Sequence, residues 1–348
     1  MTKIKRKKHR SLFEYEDRME ELSKKNCHLE RLNSIIDWEL FRDILNKSFE
    51  KKSKGPGGAP HYDYVLMFKA LVIQKFHQLS DEQTEYQIKD RLSFQKFLGF
   101  DLTDDVPDQN TIREFRESLI KNGVIDKIFD RFHLFLKDKG VISTEGVIVD
   151  ASFVEVPRQR NTRDENKDIK EGKTPEGWED NPDKMSQKDV DAKWTKKNNK
   201  TFFGYKNHIK ADKKSKIILS HHTTSANIHD SQPIDDLLDE SDKGKDIWAD
   251  SAYTGQEIYE TFDEYEMKQH INEKGYRNRP LTDEQKNLNR EKSKTRARVE
   301  HIFGFMENSM KGGFIRSIGI KRAQGNIGLI NLVYNFCRYW QIVRYGLA

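Results

Sequence analysis

Gly146-Val-Ile-Val-Asp150 is a short apolar run that ends in an acid and continues as Ala151-Ser-Phe-Val-Glu-Val156. An unbroken apolar stretch of this length reads as a buried strand rather than a half-exposed one. A second run, Ile247-Trp-Ala-Asp250, ends the same way. A carboxylate at the end of a buried strand is unfavourable unless it is hydrogen-bonded, paired or bound to a metal. If the two strands are neighbours, their acids face each other where α/β sheets usually place active sites.

Outward from these runs the pattern is mixed. Thr201–Ala211 and Ile217–Thr224, joined at Asp212–Ser215, read as a β-hairpin. A helix is expected over Ser231–Leu238, another from Gln256, and a short strand over Met267–Asn272. Thr295–Met310 and Lys321–Val343 read as long helices. The order after Val141 is therefore strand, hairpin, helix, strand, helix, strand, helix. Residues 157–200 carry both charge signs, prolines that include Pro175 and Pro182, and no periodicity, and are expected to form a long, mobile insertion.

Upstream the chain reads as all helix. Leu22, Leu29, Leu32, Ile35, Ile36 and Leu40 recur at helical spacing within residues 12–50, and a Gly/Pro-rich loop follows at Lys54–Pro60. Tyr64–Gln78 is a strongly apolar helix, and Ser80-Asp-Glu-Gln83 resembles a capping box. Asp108 or Asn110 can cap a helix carrying Arg113 and Arg116 on one face. This suggests either a DNA-contacting bundle of helix-turn-helix type or a plain bundle with solvated arginines. The expected layout is a basic arm with helices over 1–60, a helical DNA-binding domain over 61–140, and an α/β catalytic domain over 141–348 containing the 157–200 insertion.

Composition narrows the classes. Charged residues make up 34% of the 348 and apolar ones 35%, and mean hydropathy is −0.90. No apolar run approaches the roughly 20 residues of a spanning helix, so no membrane role is expected. The 62 Lys+Arg nearly cancel the 57 Asp+Glu, so distribution matters more than the sum. The first ten residues, MTKIKRKKHR, are a basic cluster with no apolar segment behind it, which points away from a signal peptide and allows a phosphate-contacting arm. Two distant cysteines, Cys27 and Cys337, form no disulfide framework and fit a reducing, cytoplasmic setting. His221-His222 and His229-Asp230 lack further zinc ligands at suitable spacing, and no P-loop, GxGxxG or GxSxG occurs.

A third acid joins the first two. In Arg296-Ala-Arg-Val-Glu-His-Ile-Phe-Gly-Phe-Met-Glu307, Val299, Phe303, Met306 and Met310 form a buried helical stripe. Arg296, Glu300, Gly304 and Glu307 share the adjacent stripe, and Gly304 leaves open space beside Glu300. Three oxygen donors with nothing softer suit Mg²⁺ or Mn²⁺, and two such ions can activate a nucleophile and stabilise the leaving oxygen of a phosphodiester. Alternatively, each acid caps a turn or pairs with an arginine. Lys206 and His208 share one strand face, opposite Tyr205 and Ile209, where they could meet phosphate.

The acids at Asp150, Asp250 and Glu300 resemble the RNase H-like core of bacterial insertion-sequence transposases of the DDE class. Asp150-Ala-Ser, Phe203-Gly-Tyr-Lys-Asn-His208, Thr224-Ser-Ala-Asn-Ile-His-Asp-Ser-Gln232, Ala249-Asp-Ser-Ala-Tyr253 and Arg298-Val-Glu-His-Ile-Phe303 look like family blocks in the family's order. Asp90–Gly99 and Pro107–Arg116 resemble its helical N-terminal domain. The resemblance implies an RNase H-like mixed sheet flanked by helices, a catalytic triad of Asp150, Asp250 and Glu300, and two Mg²⁺ ions with Mn²⁺ as substitute. It also implies double-stranded DNA partners (inverted-repeat ends and target), a homodimer on DNA, and a nucleoid-associated setting. Lys206, His208, Arg296, Arg298, Lys311, Arg113 and Arg116 are the expected DNA contacts. The family signature has a tyrosine and an arginine before the glutamate and a lysine after it. Arg296 fits the arginine, but Ser293 and Glu307 stand at the other two positions, with Lys311 one turn beyond. A nuclease that does not join strands and a catalytically silent DNA-binding descendant are the alternatives.

Overall fold

The computed structural model describes residues 13–25, 27–49, 61–101, 103–197 and 199–347. The basic arm at 1–10 and the glycine/proline loop at 54–60 lie outside the described residues. No helix among the described residues is long and apolar enough to cross a membrane.

The chain divides into two compact units, the first comprising residues up to Gln74 together with Leu79–Phe115. This unit is helical: α1 (Glu14–Lys25), α2 (His28–Asn33), a 3-10 turn at Trp38–Phe41, α3 (Arg42–Phe49), α4 (Tyr64–His77), α5 (Asp81–Asp90), α6 (Leu92–Leu98) and the first half of α7 (Gln109–Lys121). Its caps follow local chemistry. Ser80 Oγ accepts the Gln83 N–H at 3.1 Å to open α5, and Asp108 accepts the Asn110 and Thr111 N–H groups to open α7. Aromatic side chains fill the core, with Trp38 edge-on to Phe97 at 5.5 Å and Phe49 stacked on Phe115 at 5.0 Å.

The second unit spans Lys75–Gln78 and Arg116 onward. It begins with the end of α7 and with α8 (Val124–Asp138). The helical domain expected over 61–140 would contain α8, whereas its apolar stripe of Ile125, Phe129, Phe132 and Leu136 is buried within this second unit. Phe132 meets Phe336 edge-on at 4.7 Å, and Phe129 meets His221 at 4.8 Å.

The rest of the unit follows in order: β1 (Gly146–Glu155), α9 (Arg163–Lys170), α10 (Pro182–Ser186), β2 (Lys193–Lys197), β3 (Lys200–Asp212), β4 (Ile218–Ser225), α11 (Ile234–Leu237), β5 (Asp246–Ala249), α12 (Gln256–Glu264), β6 (Lys268–Ile271), α13 (Asp283–Asn308) and α14 (Ile320–Tyr345). One six-stranded mixed sheet results, in the order β2-β3-β1-β5-β6 with β4 also on β3. β1 is antiparallel to β3 and parallel to β5, so the strand that carries Asp150 at its middle neighbours the strand that Asp250 directly follows. This is the expected RNase H-like arrangement. Gly204 is required in β3, because at its φ of +148° a Cβ would meet the Val154 carbonyl oxygen at 2.3 Å. Gly325 lets α14 lie against α7, since a Cβ there would reach Ile120 Cγ1 at 2.4 Å.

Residues 157–200 are not structureless. Thr162 and Glu165 form a reciprocal capping box that opens α9, Asn181 caps α10, and β2 adds to the sheet. Trp178 anchors the segment's α9 region: it is fully buried and donates its Nε1–H to Glu165 at 2.8 Å, while Asp189 accepts the Tyr205 hydroxyl further along. One buried indole among solvated charges leaves no periodic trace in sequence. Trp178→Ala is expected to lose about 3–5 kcal/mol locally, and limited proteolysis should then cut between residues 157 and 192 of an otherwise intact chain. A variant as protease-resistant as the wild type would contradict this.

Candidate active site

β1 carries Asp150 into the sheet with only 8% of its surface exposed. The Ala151 N–H donates to Oδ1 at 2.8 Å, and Arg296 Nη1 donates to Oδ2 at 3.1 Å. Burial pushes the Asp150 pKa up to about 6 and the nearby Asp250 charge pushes the same way, while the Ala151 N–H and Arg296 oppose them. Asp250 follows β5 and caps the 3-10 turn Ser251–Tyr253, accepting the Ala252 N–H at 2.8 Å. The parallel register pairs Gly146 with Asp246, Val147 with Ile247 and Ile148 with Trp248. Continued by two residues, it brings Asp150 level with Asp250.

The third acid arrives on α13, held against the sheet by buried Val299, Ile302 and Met306. Glu300 itself stays 62% exposed. Arg296, one turn earlier, gives one nitrogen to Asp150 and the other to Glu300, at 3.1 and 3.4 Å. The guanidinium is therefore the cation that links the first and third acids. Among the described residues no three of His, Cys, Asp and Glu lie close enough together to hold a metal ion, and Arg296 occupies the space between two of the candidates. A Cβ on Gly304 would meet nothing closer than the Asn308 amide at 4.0 Å, so the helix stays open beside Glu300.

Tyr253 was not singled out from sequence, where Ala249-Asp-Ser-Ala-Tyr253 directs attention to its aspartate. Its side chain is fully buried, and its hydroxyl has no hydrogen-bond partner among the described residues. Burial, then the charges of Asp150, Asp230 and Asp250, raise its pKa well above the ordinary value. The phenol thus keeps its proton and is an unused donor beside the acids.

With this geometry in place, the family comparison is decisive. Residues 142–336 match the family model described as a transposase DDE domain, and residues 17–118 match that of a transposase domain, DUF772. The chain belongs to the DDE transposases. Such an enzyme cleaves DNA and transfers strands, and members of the family generally use divalent metal ions. A distant likeness is to a solved structure titled as a cryo-EM structure of the piggyBac transposase synaptic complex with hairpin DNA. It has a TM-score of 0.40 and 12% identity, covering 92% of this chain and 74% of that one.

Other expected contacts of the transposase are placed differently. Cross-strand partners share a sheet face, so Asp150 lies with Ile209, whereas Lys206 and His208 lie with Phe153 and Ala151 on the opposite face. Neither is presented to solvent. Lys206 pairs with Asp230 at 2.6 Å, and the His208 ring is fully buried against Thr224 Oγ1 at 2.8 Å. β3 is paired on both edges, and this turns an alternating polar strand into an interior one. Burial lowers the His208 pKa to about 3, so the ring is neutral and carries no charge for a phosphate. Arg298 is exposed and donates to the Lys213 carbonyl at 2.7 Å. Lys311 is exposed but does not continue the Glu307 face: α13 ends at Asn308, and Lys311 sits in a left-handed turn with φ +54°. On α7, Arg113 is exposed, while the Arg116 side chain is 12% exposed and lies 3.9 Å from Glu117. Ser293 accepts a hydrogen bond from Asn272 at 3.0 Å, and Glu307 accepts one from Ser152 at 3.4 Å.

Proposed function

We propose that this transposase binds the inverted-repeat ends of its own mobile element as a homodimer. Asp150, Asp250 and Glu300 hold Mg²⁺, with Mn²⁺ as the substitute, for cleavage at the repeat boundary and joining of the freed 3′-hydroxyl to target DNA. The observation that carries the reading is that Asp150 on β1 feels the charge of Asp250, which directly follows the adjacent strand β5, with Glu300 reached through one shared arginine. The donor set is all oxygen, which fits Mg²⁺. Bound there, the ions supply Lewis acidity to the attacking water or hydroxyl and to the leaving oxygen.

The protein's own groups prepare the site. The Ala151 and Ala252 N–H groups fix one oxygen of each aspartate, and Arg296 holds the second oxygen of Asp150. Arg296 holds Asp150 toward its charged form. The test is a supercoiled donor plasmid carrying the two repeat ends, incubated with purified protein and Mg²⁺. Excised element joined to a second plasmid is the expected product; linear donor without joining would assign a nuclease instead.

Two further results follow from the geometry. Without Arg296, Asp150 titrates at higher pH, so Arg296→Gln should move the acid limb of the cleavage pH profile upward; an unmoved limb would remove Arg296 from this role. Glu307 sets a carboxylate on the sheet face that carries Asp150. Glu307→Lys is therefore expected to tighten binding of repeat ends by roughly three- to tenfold at low salt and to steepen its salt dependence by about one phosphate contact. An unchanged salt slope would place Glu307 away from the DNA.

A further inference from the structure

β2 and β3 pair as an antiparallel hairpin, with Asn199 in the left-handed region at φ +61°. Its register sets Lys197 directly opposite Lys200. Like charges in that position destabilise a strand pair. Both side chains are exposed, and no carboxylate pairs with Lys200 among the described residues. Lys197 reaches one acid, Asp230, at 3.3 Å, and that acid is shared with Lys206 at 2.6 Å. Two ammonium groups thus share one carboxylate, and Lys200 adds a third beside Lys197. The neighbouring Glu155 is met by Arg158 at 4.0 Å.

The floor between these lysines is aromatic. Phe153 and Phe202 stack with centroids 4.2 Å apart and planes 9° from parallel. Lys197 and Lys206 lie over the Phe153 ring at 5.8 and 5.4 Å, whereas no cation covers Phe202 among the described residues. Both rings are only half-buried. Phe153 is three residues beyond Asp150 on β1, roughly 10 Å along the strand and on the other face of the sheet, yet the Lys197 charge reaches Asp150. A surplus of cations over a partly open aromatic stack is the combination that holds unpaired nucleotides, whose phosphates meet the cations and whose bases stack. A duplex offers no base face to such a stack.

We propose that Lys197, Lys200 and Phe202 form a lane that grips a single DNA strand on the sheet face opposite Asp150, within reach of its charge, as an unpaired flank of the DNA being cut. This rests on the transposase reading above. The test is fluorescence anisotropy in EDTA, which removes cleavage, with an oligothymidylate and with a blunt repeat-end duplex as separate probes. Lys197→Ala/Lys200→Ala should weaken oligothymidylate binding at least about tenfold and reduce the slope of log K against log salt by about 1.4, at roughly 0.7 per single-strand contact. Phe202→Leu should weaken it by roughly five- to a hundredfold. Blunt-duplex binding should change less than about twofold in all variants.

Lys200→Glu should raise the melting temperature by relieving the Lys197 repulsion while lowering affinity for the single strand, a pair of effects that a purely structural lysine does not produce. Unchanged single-strand affinity in the lysine and phenylalanine variants would overturn the proposal. So would a blunt duplex that loses as much affinity as the single strand, which would assign the lane to duplex backbone. Failure of the transposase reading is separate: wild-type protein would then neither bind nor cut the repeat duplex.

Discussion

Asp150→Asn is expected to reduce strand cleavage by at least ~10³-fold, the scale seen when one member of a catalytic set is lost, and to leave binding of repeat ends nearly unchanged. Asparagine is isosteric and keeps one oxygen for the Ala151 N–H, so β1 keeps its conformation. It removes the anionic oxygen that faces Arg296 and the proposed metal position. Asp150 is 8% exposed, so no solvent ligand readily takes its place. Single-turnover cleavage and gel-shift binding on the same labelled duplex separate the two effects. Wild-type cleavage rates in the variant would remove Asp150 from the catalytic set.

The same substitution is expected to stabilise the metal-free protein. Asp150 has its pKa raised from 3.8 to about 6 chiefly by desolvation, even with Arg296 beside it. A carboxyl with a folded pKa above its unfolded one contributes its full stability below the unfolded pKa. That contribution is lost as pH rises through the folded pKa, here between about pH 4 and 6. At neutral pH the buried carboxylate therefore costs on the order of 3 kcal/mol relative to a neutral group. Asp150→Asn should recover that, raising the melting temperature in EDTA by roughly 6–12 °C at pH 7.5, with the gain fading toward pH 4. A melting temperature equal to or below wild type at pH 7.5 would show that the carboxylate is not held at a cost. Instability of this kind, concentrated at an acid the enzyme needs charged, is what a site waiting for a cation should show.

The parts of this architecture legible in sequence are those whose cause is local. Val147–Val149 and Ile247–Ala249 are apolar because both faces of their strands are covered, and the acids that end them stand out for that reason. Ser80, Asp108 and the Glu300 helix stripe announce themselves through spacing. What escaped reading depends on partners far away in the chain. Lys206 looks like a surface lysine until β1 and β4 close over both edges of β3 and Asp230, 24 residues on, neutralises it. Arg296 reads as a DNA contact because its own helix shows only Glu300, while Asp150 lies 146 residues away. The order of the 157–200 insertion depends on buried Trp178 and on Asp189 meeting Tyr205 of β3, and the placement of α8 on ring contacts with α14. Tyr253 needed three carboxylates from three elements around it before its hydroxyl became notable.

The central claim, that three acids form one metal-dependent cutting site, is tested most directly on a labelled duplex carrying the repeat boundary. Wild type and Glu300→Gln are compared in Mg²⁺ and in EDTA. Glu300 is the member whose side chain is most exposed, so its replacement leaves folding least disturbed. The account predicts nicking at the boundary and strand joining for wild type in Mg²⁺ only, with both lost in Glu300→Gln while binding persists. Boundary nicking that survives in EDTA, or that Glu300→Gln retains at the wild-type rate, would contradict it.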